Sequence, residues 1–147
     1  MQVRYANPNL HTLMCDEKTI HHWAFEYYAR LRKIKAYVSD RYSEKICLAD
    51  AACIVCMEPK SFSKFFRQKV GHPFHVWLSC IRICKAKQLM SRSEDSITEI
   101  AEQVGFSDLR SFERAFKTIT GLTPVQFRSL LLDEFRRKTD TKRRDEM

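Results

Sequence analysis

The sequence predicts an all-α protein of about seven helices, forming two helix-turn-helix units joined by a long connecting helix. Three observations point there. Only three Gly and four Pro interrupt 147 residues, which favours long helices on short connections. Large apolar residues recur at helical spacing, as at Phe112, Phe116 and Ile119, rather than alternating as in a strand. Finally, "SFSKFFRQKVGHPF" from Ser61 aligns with "SFERAFKTITGLTP" from Ser111 at a constant offset of 50, so one design occurs twice.

The elements follow in order. Residues 1–27 form an N-terminal extension of unknown role: "ANPNLHTLMCDEK" has no clear period, while "TIHHWAFEYY" can be helical with Trp23 and Phe25 to bury. A bipartite domain then spans 28–132. Its opening helix, "YARLRKIKAYVSDRY", turns Leu31, Ile34 and Val38 inward. The first helix-turn-helix covers about 46–71, with "LADAACIV" as its shorter helix. Residues 74–91, "FHVWLSCIRICKAKQLMS", contain no Gly or Pro and read as one connecting helix. The second unit, about 96–121, starts with "ITEIAEQV". Ala52 and Ala101 occupy matching places where a small side chain lets a second helix approach. Gly105 can take the positive φ that ends the shorter helix, and Ser107 and Asp108 can cap the next. Thr123 and Pro124 then place a cap and a first-position proline before a final helix, 124–132. Residues 133–147 carry six cations and five anions with one aromatic, which predicts a frayed, charged C-terminal tail.

The net charge of +8 suggests a polyanionic partner. Its distribution is more informative than its sum. From Glu58 to Arg92 eight cations face one anion, whereas Ser93 to Leu132 holds four cations and six anions. The repeat adds a second pattern: Lys60, Ser63, Lys64 and Arg67 correspond to Arg110, Glu113, Arg114 and Lys117, an i, i+3, i+4, i+7 stripe opposite the phenylalanines in both copies. Phe62, Phe65 and Phe66 could be taken for a platform on which single-stranded bases stack, but their period turns them inward.

Other chemistry finds less support. The start "MQVRYANPN" lacks the apolar stretch of a secretory signal, and Arg82 interrupts "FHVWLSCIRIC", the longest apolar run. A cytoplasmic protein without a membrane partner is expected, and its six cysteines are then expected as reduced thiols. Cys53 and Cys56, with Cys80 and Cys84 one turn apart, could in principle supply four thiolates. They lie within helical patterns without knuckle turns and read as small buried side chains. His21, His22 and Glu26 read as a surface helix rather than metal ligands. No nucleophile elbow, phosphate loop or pair of carboxylates in a pocket suggests an enzyme, and no cofactor or metal is expected.

The repeated residues resemble the DNA-binding domain of the AraC/XylS family of bacterial transcription regulators, over roughly Ala29 to Leu132. "SITEIAEQVGFSD" followed by "SFERAFKTITGLTPVQFR" is similar to that family's signature, and the connecting segment matches its pattern through Gly71, Phe74, Trp77, Leu78, Arg82, Ile83, Ala86, Leu89 and Met90. The resemblance implies that two second helices enter successive major grooves of double-stranded DNA at a promoter site. Lys60, Ser63, Lys64, Arg67, Arg110, Glu113, Arg114 and Lys117 would then face the duplex, in an activator that also touches RNA polymerase. Glu113 either reads a base or orients its cationic neighbours. Where the family has a turn glycine in the first unit this chain has Cys56, which predicts a differently shaped turn. No small-molecule effector domain fits before the first helix, so the chain resembles the short, stand-alone members of the family. Two rival readings remain: a protein-binding antagonist of another regulator or of the polymerase, and a thiol- or metal-responsive regulator.

Overall fold

The computed structural model describes residues 20–145, and among these it contains eight helices and no strand. They are α1 (Trp23–Tyr27), α2 (Ala29–Arg41), α3 (Leu48–Ile54), α4 (Pro59–Val70), α5 (Phe74–Arg92), α6 (Ile97–Gln103), α7 (Leu109–Thr120) and α8 (Pro124–Asp145).

Two apolar cores share α5. Its first half contributes Phe74, Trp77, Leu78 and Cys80 to a core built with α1 to α4. Its second half contributes Ile83, Ala86 and Met90 to a core built with α6, α7 and α8. A helix enclosed from different sides along its length needs apolar residues on more than one face. Ile83 and Ala86, both fully buried, accordingly face the second core while Phe74, Trp77 and Leu78 face the first. The first core is aromatic at its centre: Phe25 stacks on Trp77 at 4.9 Å, and Phe66 meets Phe74 and Trp77 at 5.4 Å each. Leu31, Ile34 and Val38 of α2 are fully buried, as their spacing predicts.

Three expectations need correction. Trp23 is 57% exposed while Phe25 is buried, because residues two apart on a helix point to opposite sides and one short turn can bury only one of them. The final helix does not stop at 132 but runs to Asp145. The segment is dominated by Arg and Lys, which propagate a helix well, and Thr139 and Thr141 donate their hydroxyls to the carbonyls of Phe135 and Arg137 one turn back at 3.1 and 3.0 Å. The reduced state expected for all six cysteines fails at Cys80, which is disulfide-bonded. Cys47, Cys53, Cys56 and Cys84 are free.

The turn after α3 also departs from expectation. Cys56 adopts φ 54°, the left-handed position that Gly105 takes at φ 97° in the second unit. The hydrogen bonds match as well: Met57 N donates to Ala52 O at 3.0 Å and Phe106 N to Ala101 O at 3.0 Å. The turn thus has the shape of its counterpart in the second unit, not the different one expected, and a side chain that disfavours it is held there by its surroundings. Removing the strained Cβ in Cys56→Gly should stabilise the protein by about 1 kcal/mol, read as a higher urea midpoint at unchanged m-value. A midpoint at or below that of the parent would show that the cysteine carries no strain.

Candidate nucleic-acid interface

Each candidate helix is mounted by the same local chemistry. α4 begins at Glu58, whose carboxylate accepts from Ser61 N at 3.1 Å and Ser61 Oγ at 3.3 Å. α7 begins at Asp108, whose carboxylate accepts from Ser111 N at 2.7 Å and Ser111 Oγ at 2.8 Å. The acid and its serine recur at the repeat offset. Asp108 was legible as a cap; Glu58 was not, because glutamate is a rarer cap than aspartate or serine. Both carboxyls are held below their ordinary range. The amides do most of this, Lys60 then Ser61 for Glu58 and Ser111 for Asp108, with the Arg114 charge assisting the latter. Both caps are therefore ionised at neutral pH, and their contribution is lost only as pH falls through the lowered values. The helices also end alike, with Gly71 N donating to Arg67 O at 3.0 Å and Gly121 N to Lys117 O at 2.8 Å.

Between these ends the central phenylalanines of the apolar face are withdrawn. Phe62 and Phe66 of α4 and Phe112 and Phe116 of α7 have no exposed surface, and Phe65 is half-buried against Tyr28 at 5.9 Å. The phenylalanines are core, not a stacking platform. Lys60, Lys64, Arg67, Arg110, Glu113, Arg114 and Lys117 are all exposed, and Ser63 is half-buried. Thus the structure places four side chains on the open face of α4 and four on that of α7. Among the described residues, none of the six cations in the stripes forms an ion pair; the two recorded pairs are Lys35 with Glu26 and Arg41 with Glu44. Glu113 makes no ion pair with Arg110, Arg114 or Lys117 either.

The cysteines offer less. Cys53, on α3, and Cys56, at the turn that follows it, are exposed rather than buried as expected, while burial raises the Cys84 thiol above its usual value, the direction of an inert structural cysteine. His21 Nδ1 lies 3.1 Å from Lys69 O, tying α1 to the end of α4. Among the described residues no helix is long and apolar enough to cross a membrane.

The sequence singles out Arg82 but does not show what it holds. Its Nε donates to Tyr42 O at 2.7 Å and a terminal nitrogen donates to Glu44 O at 2.8 Å. The acceptors are backbone carbonyls 40 and 38 residues away, which no side-chain periodicity reports.

Comparison with known proteins agrees with the helical fold and its helix-turn-helix character. A family model described as "Helix-turn-helix domain" matches residues 51–129. The Arabinose operon regulatory protein of Escherichia coli (strain K12) is 36% identical over 101 residues, covering 68% of this chain and 35% of that protein. The HTH-type transcriptional activator RhaS of Klebsiella pneumoniae (strain 342) is 27% identical over 100 residues, covering 68% of this chain and 36% of that one. The chain therefore spans about a third of the length of these curated relatives. Among solved structures, the DNA-binding domain of AdpA, in complex with a target DNA, shares the fold with a TM-score of 0.65 at 23% identity, over 70% of this chain and 93% of that one.

Proposed function

The chain belongs to the AraC-type family of helix-turn-helix transcription regulators, and from that premise we propose that it reads a specific double-stranded DNA site through α4 and α7 and activates transcription there. The observation that carries the reading is the duplicated stripe: two helices of one design, identically capped, each presenting unpaired cations opposite a buried phenylalanine face. A solvated helix surface has no reason to repeat its polar pattern with its core pattern, whereas two grooves of one duplex need the same tool twice.

The residue chemistry divides the work. Lys64 and Arg114, central in their stripes, donate to guanine O6 and N7, and Glu113 accepts from cytosine N4. The absence of an ion pair to its neighbours favours this role for Glu113 over orienting them. Ser63 is short enough to serve either partner. Lys60, Arg67, Arg110 and Lys117 flank these positions and neutralise phosphates. The 19 residues of α5 span about 28 Å, less than the roughly 34 to 36 Å between successive major-groove faces, so engaging both helices bends the duplex. Activation draws its support from the name of RhaS as a transcriptional activator; contact with RNA polymerase is part of the proposal and rests on no relative's name.

The test compares binding to a duplex selected from a random pool by the protein with binding to random duplex, each across a range of salt. Lys64→Ala should lower affinity for the selected site more than for random sequence, by ~1 to 3 kcal/mol. Equal losses on both would reassign Lys64 to phosphate. No preference of the parent protein for any sequence would remove the reading itself.

A further inference from the structure

The two units are joined by more than the helix they share. Arg82 lies near the midpoint of α5, between the last residue given to the first core, Cys80, and the first given to the second, Ile83. Its guanidinium reaches sideways to the carbonyls of Tyr42 and Glu44, just beyond the end of α2, and sits 5.8 Å over the ring of Phe106 in the turn of the second unit. Tyr42 packs against both cores, and its ring lies 5.6 Å from Lys85 Nζ. The turn of the second unit closes on the same backbone: a Cβ built on Gly105 would lie 2.9 Å from the carbonyl oxygens of Tyr42 and Ser43. The end of α2 is thus clasped between α5 and the turn that leads to α7.

Two bodies sharing one helix can still rock, because a helix bends and twists softly along its axis. A second connection away from that axis removes this freedom, as a brace does for a hinge. Ile119 of α7 also touches both cores, but apolar contact is non-directional and permits sliding. The fork of Arg82, holding two carbonyls of known position, does not.

We propose that Arg82 is a positioning residue that, with Gly105 and the carbonyls of Tyr42, Ser43 and Glu44, sets the angle between α4 and α7 and so makes the protein select the spacing between the two halves of its site. The inference rests on the DNA reading above for its consequence, though not for its geometry. Each base pair added between half-sites turns the second groove by roughly 35° about the duplex axis. A braced protein cannot follow that turn, and an unbraced one can.

Two measurements on Arg82→Lys decide it, since lysine keeps the charge and the stem but cannot hold two carbonyls with one planar group. The first uses a duplex selected from a random pool by the parent protein, and versions lengthened or shortened by one base pair between the halves. The parent should prefer the selected spacing by about tenfold or more; in the variant that preference should shrink to within about threefold. The second needs no DNA: residual dipolar couplings of amides in α4 and α7 should fit one alignment tensor in the parent and two of unequal magnitude in the variant. An unchanged spacing preference with a single tensor overturns the proposal. So does a uniform loss on every spacing with a single tensor, which would make Arg82 merely a stabilising residue. If the parent selects no sequence at all, the DNA reading fails and the tensors alone decide whether the brace exists.

Discussion

Phe116→Ala should destabilise the second unit by about 3 to 5 kcal/mol, a large fraction of the roughly 5 to 15 kcal/mol that holds an ordinary domain folded. Phe116 has no exposed surface, and its ring meets Phe112 at 5.7 Å and Phe127 at 5.5 Å. The cavity left by alanine would therefore lie between α7 and α8, where neither helix can close it without lifting off α5. The effect should be local. Of the two tryptophans of the sequence, Trp77 is buried in the first core and Trp23 is exposed, so the change of fluorescence on unfolding reports the first core through Trp77 while far-UV circular dichroism reports all helices. In urea the dichroism transition of Phe116→Ala should move to lower concentration and separate from the fluorescence transition, which coincidence of probes would forbid. A variant that melts like the parent but has lost its DNA would put Phe116 on the binding face and overturn the assignment of the two faces.

What was legible in the sequence was whatever periodicity carries. The helices of both units, the inward phenylalanines and the outward stripes follow from spacing within one helix, and the repeat doubled each signal. Features set by contacts between distant segments were not legible. Cys56 holds a left-handed turn that its own preference opposes, because the turn must deliver α4 to the core whatever residue stands there. Ile83 faces the second core only because α5 passes from one unit to the other. The extension of α8 to Asp145 escaped because no Gly, Pro or apolar stripe marks where a charged helix ends. For the interface, exposure was foreseeable for seven of the eight stripe residues and the Asp108 cap for α7, while the Glu58 cap and the partial burial of Ser63 were not.

The charge census leads to the last expected result. Eight cations against one anion lie along α4 and the full length of α5, four of them (Lys60, Lys64, Arg67 and Lys69) on α4 itself, whereas residues 93–132 are net acidic, and the open stripes carry three cations each. The local stripes are therefore nearly equal and their surroundings are not. Affinity for DNA falls with salt in proportion to the phosphates neutralised, by ~0.9 in logarithmic slope per contact. Lys60→Ala with Arg67→Ala should flatten that slope by nearly two contacts and weaken binding to every sequence, because both side chains stand free of ion pairs among the described residues. Arg110→Ala with Lys117→Ala should flatten it less. Asp108, ionised at neutral pH and close enough to feel Arg114, and Glu113 between the two cations lower the potential that α7 offers a phosphate. If so, encounter begins at the first unit and the second adds length and discrimination to the site. Salt slopes of both double variants on one selected duplex test this directly: equal slopes, or a larger change from the second pair, would mean that the grip on DNA is set by the stripes alone and not by the charge around them.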